Sequence, residues 1–558
     1  MQDFMTKTKF LPAIILVLFP GYVFSQESTS ENQTGRFDYF LPVERSMFQR
    51  YEEKLAARDI SFHTAFRTWR ADEVRKVIAF DSLNTLPVKD CKFNRTWLGR
   101  KLRTEHLFTV DEKDFHLTVD PLFDFSMSKT LQDKWTTRLT SEQKKKNLFT
   151  NTRGAMILGS IGNNFSFYTG FYETQATFPH YLKSFINAND VVPGQGKVKP
   201  LEGGGYDYGM AFGGISFSPS KYFNVQLAND KNFIGDGYRS LLLSDNSFSY
   251  PFLKLTADVW RLKYTVLYAQ FIDLISPHDP DLGYRKKYGT FHYLDIKIGR
   301  PLYFGFFEAV IWKTDLTGMR NFELSYLNPV IFLRPIEGSL DSPDNMMLGA
   351  NVRYKISDRT SFYGQLMLDE FKLNEIKSGA GWWGNKQAFQ LGLKSFSVAH
   401  VKNLNLQAEM NFVRPYTYQH RSTLQNYAHY NQALAHPLGA NFIEEVGLID
   451  YRWKQWYANA KIISAAIGTD TAGLNFGSDI FRNYFTYHST YSNYILQGLK
   501  TNFLFYELKI GYTLNPLYNF CIELGVAGRD YKNDLYEEKT SLITFGIRTN
   551  ITNKYYDF

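Results

Sequence analysis

The feature that most constrains the fold is a side-chain alternation with a period of two residues, which begins near Phe115 and continues to the end of the 558-residue chain. Its clearest example is the segment 403–412, where Asn, Gln and Glu residues alternate with Leu, Ala, Met and Phe. Because successive side chains of a β-strand point to opposite faces, this pattern predicts strands with one apolar and one polar face. The segments 253–259, 503–514 and 541–551 repeat the pattern.

The length and number of these strands predict a barrel rather than a soluble sandwich. Many of them span about 10–14 residues, whereas strands of globular proteins average about 5–6. About eighteen can be counted, and aromatic residues lie near their ends, among them Trp260, Trp312, Trp453 and Trp456. We therefore expect an all-β fold, a transmembrane antiparallel β-barrel of about 18 strands with an apolar exterior and a polar lumen. Sixteen or twenty strands would also suit the pattern, and a lumen of this width needs either water or a plug.

The N-terminus predicts export. Lys7 and Lys9 precede an apolar run over 10–19, and Ser25 provides a small residue at the exit. This order is typical of a secretory signal peptide, which we place at 1–25. A membrane anchor is the alternative, but the apolar core is too short to span about 30 Å of hydrocarbon. Together with the strand pattern, the signal predicts the outer membrane of a Gram-negative cell.

A leader separates the signal from the barrel. Met47, Tyr51 and Leu55 recur at helical spacing, and a second helix is predicted from about Ala65 to Val77. We therefore divide the chain into a signal peptide at 1–25, a leader with short helices at 26–114, and a barrel at 115–558. Short helices ahead of a barrel would lie at its periplasmic mouth or plug its lumen.

Charge and cysteine content exclude several classes of function. The net charge is +8, but Lys and Arg are dispersed along the chain, so a nucleic-acid partner is not expected. The excess of cations could favour acidic polysaccharide or lipid headgroups. Cys91 and Cys521 are too few for a disulfide framework, and either a bridge or two separate thiols suits the sequence. Without a C-x-x-C pair, and with scattered histidines, we expect no metal and no cofactor.

The segment 229–240, which contains Asp236, Tyr238 and Arg239, suggests a ligand site at first sight. Its acidic residues do not fall at the spacing of an EF-hand calcium loop. Gly235 and Gly237 are not followed by a helix, so the segment is not a phosphate loop. We interpret it as a tight turn that folds inward and places Arg239 in the lumen.

A second candidate is the polar and aromatic segment 412–442, with Arg414, Tyr416, His429, His436 and Asn441. Tyr and His rings can stack on sugar rings, while Arg and Asn can form hydrogen bonds with hydroxyls or carboxylates. These residues predict a glycan-binding site. The alternative is a structured loop whose His and Tyr side chains satisfy each other.

An enzymatic reading has weaker support. Five carboxylates are predicted to face the lumen and could pair as an acid and a base: Asp258, Asp295, Glu308, Asp369 and Glu409. The lumen of a barrel carries such charges in any case, and no Ser-centred nucleophile elbow accompanies them. We expect no catalytic residues and no enzymatic activity.

Several long and uncommon runs resemble a known family. The chain resembles the gliding-motility RemB proteins of Bacteroidetes at Trp97–Leu102, Asp120–Phe125, Lys231–Asp245, Tyr326–Val330 and Gln432–Phe442. The portion His436–Asn441 and the leader residues Phe62–Thr64 also resemble the wider Wzi-like capsule-assembly family. The likeness extends over nearly the whole predicted mature chain.

The resemblance implies an outer-membrane protein of the cell-surface apparatus. For the RemB type it implies gliding motility, with other gliding proteins as partners. For the Wzi type it implies a lectin, built on an eighteen-stranded barrel with a helical bundle, that attaches capsular polysaccharide to the cell. Outer-membrane lipid would be a partner in both cases. A general porin remains a third possibility, because the sequence alone does not show whether the lumen is open.

Overall fold

The computed structural model describes residues 45–78, 92–137, 141–144, 146–281, 283–314, 323–330, 342–471 and 473–558. The segment predicted to be a signal peptide and Cys91 lie outside these residues, so the signal peptide stays a prediction.

Helices are few and short. The α-helices are α1 (Arg45–Leu55), α2 (Ala71–Arg75), α3 (Trp97–Arg103), α4 (His180–Asn189) and α5 (Leu373–Ser378), and short 3-10 turns span Phe93–Arg95, Leu324–Leu327, Val398–His400 and Tyr484–Thr486. The described residues contain no helix with the length and apolar character needed to cross a membrane. The predicted helix over 65–77 is wrong in its first half. There the backbone is extended, with Phe66 in a β-bridge to Ile234, and only Ala71–Arg75 is helical.

Eighteen strands of the described chain form the wall: β2 (Phe115–Thr137), β4 (Asn147–Ile161), β5 (Phe165–Ala176), β7 (Gly205–Phe217), β8 (Phe223–Asp230), β9 (Tyr250–Val259), β10 (Leu262–Asp273), β11 (Arg285–Ile298), β12 (Leu302–Lys313), β13 (Asn345–Lys355), β14 (Thr360–Glu370), β15 (Lys386–Ser395), β16 (Leu404–Val413), β19 (Phe442–Trp453), β20 (Trp456–Thr469), β21 (Leu499–Asn515), β22 (Phe520–Lys532) and β23 (Tyr536–Arg548). Short strands β1 (Phe108–Asp111), β3 (Ser141–Gln143) and β6 (Lys199–Leu201) extend the same sheet, while β17 (Ala428–His429) and β18 (Gln432–Ala433) form a separate hairpin.

The wall closes on itself. Each wall strand pairs antiparallel with the next, and β2 pairs with both β4 and β23. At this closure the hydroxyls of Ser128 and Thr544 lie 2.7 Å apart. The structure therefore confirms the predicted antiparallel barrel of about eighteen strands. Each of the eighteen described wall strands thus has a partner on both sides, as a membrane interior requires.

The predicted alternation sorts residues between the two faces of the wall. On β16, Leu406 and Met410 are exposed on the outside, while Gln407, Glu409 and Asn411 are buried in the lumen. The outer face can therefore meet lipid, and the polar face lines the interior. Of the tryptophans predicted near the strand ends, Trp260, Trp453 and Trp456 are exposed, but Trp312 is buried. Its ring packs against Tyr326, with 4.9 Å between centroids, so Trp312 does not contribute to the exposed aromatic side chains near the strand ends.

The two ends of the barrel differ. Two-residue connections such as 260–261 and 454–455 lie at one end, called the turn end here, where β2 also begins. The opposite end, called the loop end, carries long connections, including 231–249, 414–441 and 470–498. The first two of these, called the first and second plug loops, do not remain at the surface.

The lumen is filled from both ends. From the turn end enters the leader segment 45–78, and from the loop end the first plug loop. They meet where Arg67 N donates to Phe233 O (2.9 Å) and Gly235 N donates to Ala65 O (2.7 Å). The second plug loop packs on the first, since Ser244 N donates to Leu434 O (2.7 Å). The C-terminal tail 549–558 joins them, and together these segments form the plug.

Candidate functional site: the plugged lumen

Arg239 is the electrostatic centre of the plug. Its guanidinium lies 3.2 Å from Glu444 on the wall and 3.1 Å from the Asp557 carboxylate of the tail, and it also donates to the Asp557 main-chain oxygen (2.9 Å). Lys461 contacts the same carboxylate of Asp557 at 2.6 Å. Arg239, Glu444 and Asp557 are all at most 2% exposed, so their charges depend on one another. This network ties a loop, the wall and the tail together.

The pKa values of Arg239 and Asp557 follow from this geometry. Burial opposes the charge of Arg239, but Asp557 and Glu444 outweigh it and hold the Arg239 pKa above its ordinary value. Burial likewise opposes the Asp557 carboxylate, yet Arg239 and Lys461 hold the Asp557 pKa below its usual range. Both groups are therefore charged at neutral pH.

The turn that carries Arg239 is fixed by wall carboxylate and amide groups. Glu409 accepts hydrogen bonds from the backbone nitrogens of Tyr238 (2.7 Å) and Arg239 (3.1 Å). Gly235 has a φ of 140°, and a Cβ there would overlap the side-chain amide of Gln365. The first glycine of the Gly-x-Gly pair is thus needed for close approach of the loop to the wall, not for a phosphate.

Asp236 lies on the opposite side of this turn, against the leader. It accepts a hydrogen bond from the Thr64 hydroxyl and lies 3.9 Å from the Arg353 guanidinium. Arg353 also donates to Phe62 O (2.8 Å). The structure therefore places Asp236, Tyr238 and Arg239 inside the barrel, on two faces of one inward turn.

His429 and His436, which the sequence suggests as glycan contacts, are fully engaged within the protein. His429 Nδ1 accepts from Ile272 N (3.0 Å), and its Nε2 lies 3.2 Å from Ser249 O. Burial lowers the His429 pKa to about 3, so the ring is neutral and donates through Nε2.

The environment of His436 is similar. Its Nε2 lies 2.7 Å from Glu444, and its Nδ1 accepts from Leu438 N (3.2 Å). Burial lowers the His436 pKa despite the neighbouring carboxylate of Glu444. A neutral His436 that donates to Glu444 completes the network around Arg239.

Arg414, Tyr416 and Asn441 lie together, but they hold other loops in place. Asn441 donates to Gly468 O (2.6 Å) and Gln497 O (2.9 Å) and accepts from Leu496 N (2.7 Å). The hydroxyl of Tyr416 donates to Asn475 O (2.9 Å), and Arg414 Nε donates to Asn385 O (2.8 Å).

The structure does not bring the five predicted glycan residues together at one solvent-facing surface. His429 lies against β10, and His436 lies in the charge network. Tyr416 and Asn441 support the loop at 470–498, and Arg414 bonds to the loop that ends at Asn385. A direct glycan contact by these five stays a prediction.

A cavity with several charged lining residues, which the sequence reasoning missed, lies between the plug and the strands nearest the closure. Its volume is about 400 Å³, and it is bordered by wall residues such as Asp124, Lys509 and Arg548 and by plug residues such as Arg45 and Tyr555. Its charges are paired: Arg548 forms two hydrogen bonds with Glu523 (2.8 and 2.9 Å), and Lys554 contacts Asp124 at 2.7 Å. The sequence feature that corresponds to this cavity is the series of inward-facing polar residues on β20–β23. Alternation predicts these residues for each strand separately, but it does not predict that they border one cavity.

Comparisons with known proteins support the fold. No protein-family model matches the chain, and no curated protein matches it. The structure is similar to that of Wzi from Escherichia coli, an outer membrane protein involved in group 1 capsule assembly and described as a carbohydrate-binding β-barrel. The TM-score is 0.52 with 10% identity, over 92% of this chain and 100% of that one.

Two weaker likenesses are to porin-type barrels. A BenF-like porin from Pseudomonas fluorescens gives a TM-score of 0.42 with 9% identity, over 78% of this chain and 99% of that one. OccAB2 from Acinetobacter baumannii gives 0.38 with 11% identity, over 76% and 97%. At 10% identity the likeness to Wzi concerns the fold alone, which is that of an outer-membrane β-barrel.

Proposed function

We propose that this protein is a non-enzymatic outer-membrane barrel that binds polysaccharide at the cell surface. The observation that carries the proposal is the filled lumen, in which leader, two loops and tail meet around Arg239, in a barrel that shares its fold with Wzi. A general porin needs a water-filled path, whereas a receptor needs a rigid frame for its loops. The plug suits the second role.

The energetics of the plug support a permanent frame. Opening the lumen along Arg239 would separate it from Glu444 and Asp557, and breaking a buried ion pair costs about 3–5 kcal/mol when one charge is left without a partner. The leader adds contacts from the other end, where Lys355 Nζ donates to the backbone oxygens of Leu55 (3.0 Å) and Ala57 (2.7 Å).

The inward carboxylates support a non-enzymatic role. Asp295 lies 2.9 Å from His63, Asp369 lies 3.3 Å from Lys386, and Glu409 accepts from plug backbone nitrogens. These three carboxylates contact the plug or neighbouring wall residues. They therefore hold the plug and the wall together rather than forming an acid and a base across a cleft.

Two measurements test the proposal on the intact protein. In planar bilayers we expect no large, persistent openings, because the plug fills the lumen. Immobilised protein should bind capsular polysaccharide purified from the producing cells in a saturable manner. Persistent large conductance without polysaccharide binding would instead assign the protein to the porins.

Gliding motility is the second candidate, and the observation that favours it is the resemblance of 231–245 and 432–442 to RemB proteins. In the structure these two runs pack against each other in the plug, where Ser244 N donates to Leu434 O (2.7 Å). Deleting the gene and scoring colony spreading and capsule retention separately distinguishes the two roles. Loss of spreading with normal capsule would favour gliding, and the reverse would favour capsule attachment.

A further inference from the structure

The loop at 470–498 carries a segment with an unusual composition. From Asn483 to Tyr494 it has no Asp, Glu, Lys or Arg, and it contains Tyr484, Phe485, Tyr487, Tyr491 and Tyr494 among Ser, Thr, Asn and His. Strands β20 and β21 end and begin outside this segment, so its aromatic rings belong to the loop end and not to the wall.

Several of these rings face solvent. Phe485 is 61% exposed, Tyr491 45% and Tyr494 66%. In the described parts of the long loops, Phe371 is the only other aromatic side chain with comparable exposure. Exposed aromatic rings are costly to leave in water, and three of them within ten residues of one loop mark an interaction surface.

The segment is held rigidly from below. Trp383 stacks on Tyr484 and Tyr487, with ring centroids 5.1 and 4.7 Å apart, and Trp383 N donates to Thr490 O (3.0 Å). Asn493 N donates to Gly381 O (2.9 Å). A surface whose backbone is already fixed loses little conformational entropy on binding.

We propose that Phe485, Tyr491 and Tyr494, called the aromatic platform here, form the surface on which sugar rings of the polysaccharide stack. This inference rests on the proposed function and names its binding site. A sugar ring presents a C–H face to an aromatic ring, and its hydroxyls can bond to exposed side chains between the aromatic residues, such as Thr490 and Ser492. An anionic lipid surface would instead call for clustered Lys and Arg, which the segment lacks.

The test uses full-length protein in nanodiscs and capsular polysaccharide purified from the producing cells. The variant Phe485→Ser/Tyr491→Ser/Tyr494→Ser should bind about tenfold more weakly or worse, which corresponds to at least about 1.4 kcal/mol. Two matched controls, Leu535→Ser at the loop end and Tyr222→Ser at the turn end, remove other exposed apolar side chains. We expect both controls to bind within about twofold of the native protein.

A conservative variant separates stacking from a loss of fold. Tyr491→Phe/Tyr494→Phe keeps both rings and should retain binding within about threefold. Because the segment carries no charge, affinity should also change little between low and high salt. Loss of binding in the Phe variant equal to that in the Ser variant, or a steep salt dependence, would overturn stacking.

The remaining outcomes are also decisive. If the native protein binds no polysaccharide, the proposed function fails and the platform fails with it. If the native and Ser-substituted proteins bind equally, only the platform is overturned. If the nanodisc-held protein instead captures phospholipid vesicles free of polysaccharide through the same three rings, the surface recognises lipid and the inference is wrong.

Discussion

The plug and the aromatic platform are both built from side chains with rings, but the plug buries these rings and the platform exposes them. In the plug, His429 and His436 bond through both ring nitrogens and are buried. On the platform, Tyr491 and Tyr494 leave much of their rings in water. The comparison teaches that two of the runs which resemble a known family build the interior, whereas the proposed binding surface lies in a loop outside those runs.

The largest expected effect comes from breaking the charge network of the plug. Arg239→Leu leaves Glu444 buried without a cation and leaves Asp557 with Lys461 alone, and we expect a loss of about 3–5 kcal/mol in the free energy of unfolding. Urea unfolding of the refolded protein in detergent, followed by tryptophan fluorescence, measures it.

The matched control is Arg482→Leu in the loop that carries the platform. Arg482 is about one-third exposed and lies 3.7 Å from Asp470 and 3.8 Å from Asp479. We expect a cost of at most about 1 kcal/mol, as for other solvent-accessible ion pairs. Equal losses in the two variants would mean that the interior network is no more important than a surface pair.

The next effect is a pH dependence that belongs to the plug. Burial, aided by the charges of Lys287 and Lys231, places the His429 pKa at about 3 in the folded protein, against 6.5 as its ordinary value. The unfolded chain therefore binds one more proton than the folded chain between these values. The contribution of His429 to the free energy of unfolding is fully present above pH 6.5. It falls as the pH is lowered, by up to about 1.4 kcal/mol per pH unit.

His429→Gln tests this origin. Glutamine can donate to Ser249 O and accept from Ile272 N without titrating, so the variant should lose less stability than the native protein between pH 6.5 and 4. Urea midpoints over that range measure the difference. The pKa of His420 is also lowered to about 3, mainly by burial, so a residual acid dependence is expected. Identical pH profiles for the two proteins would contradict the assignment to His429.

The barrel was predictable from the sequence because its cause is local. Leu406 and Gln407 must point to opposite faces of β16, and lipid and lumen then select the residue types. The inward turn at Arg239 was also predictable, from the glycine pair before it. Its partners were not, since Glu444 and Asp557 lie 205 and 318 residues further along the chain and no local pattern links them.

The direction in which a loop folds was the part that sequence could not give. The second plug loop and the loop at 470–498 are both rich in aromatic and polar residues, and both connect strands at the loop end. Only tertiary contacts decide that His429 enters the lumen while Tyr494 stays outside. A binding site was therefore predicted in the loop that becomes buried, next to the residues that support the exposed one.

The smallest effect concerns the connection between the two regions. Asn441 belongs to the second plug loop but bonds to Leu496 and Gln497 beneath the platform. Removing its side chain in Asn441→Ala leaves these backbone groups without partners, and we expect a local cost of about 1–2 kcal/mol. Hydrogen exchange of 484–498 should accelerate, while exchange of the first plug loop stays unchanged.

A second variant separates the side chain from the backbone at this position. Asn441 has a φ of 59°, a left-handed conformation that alanine adopts with strain and glycine does not. Asn441→Gly removes the same hydrogen bonds without that strain, so faster exchange shared by both variants reports the lost bonds. If exchange in the first plug loop rose equally, plug and platform would open as one cooperative unit. The division between a fixed interior and a separately supported platform would then have to be abandoned.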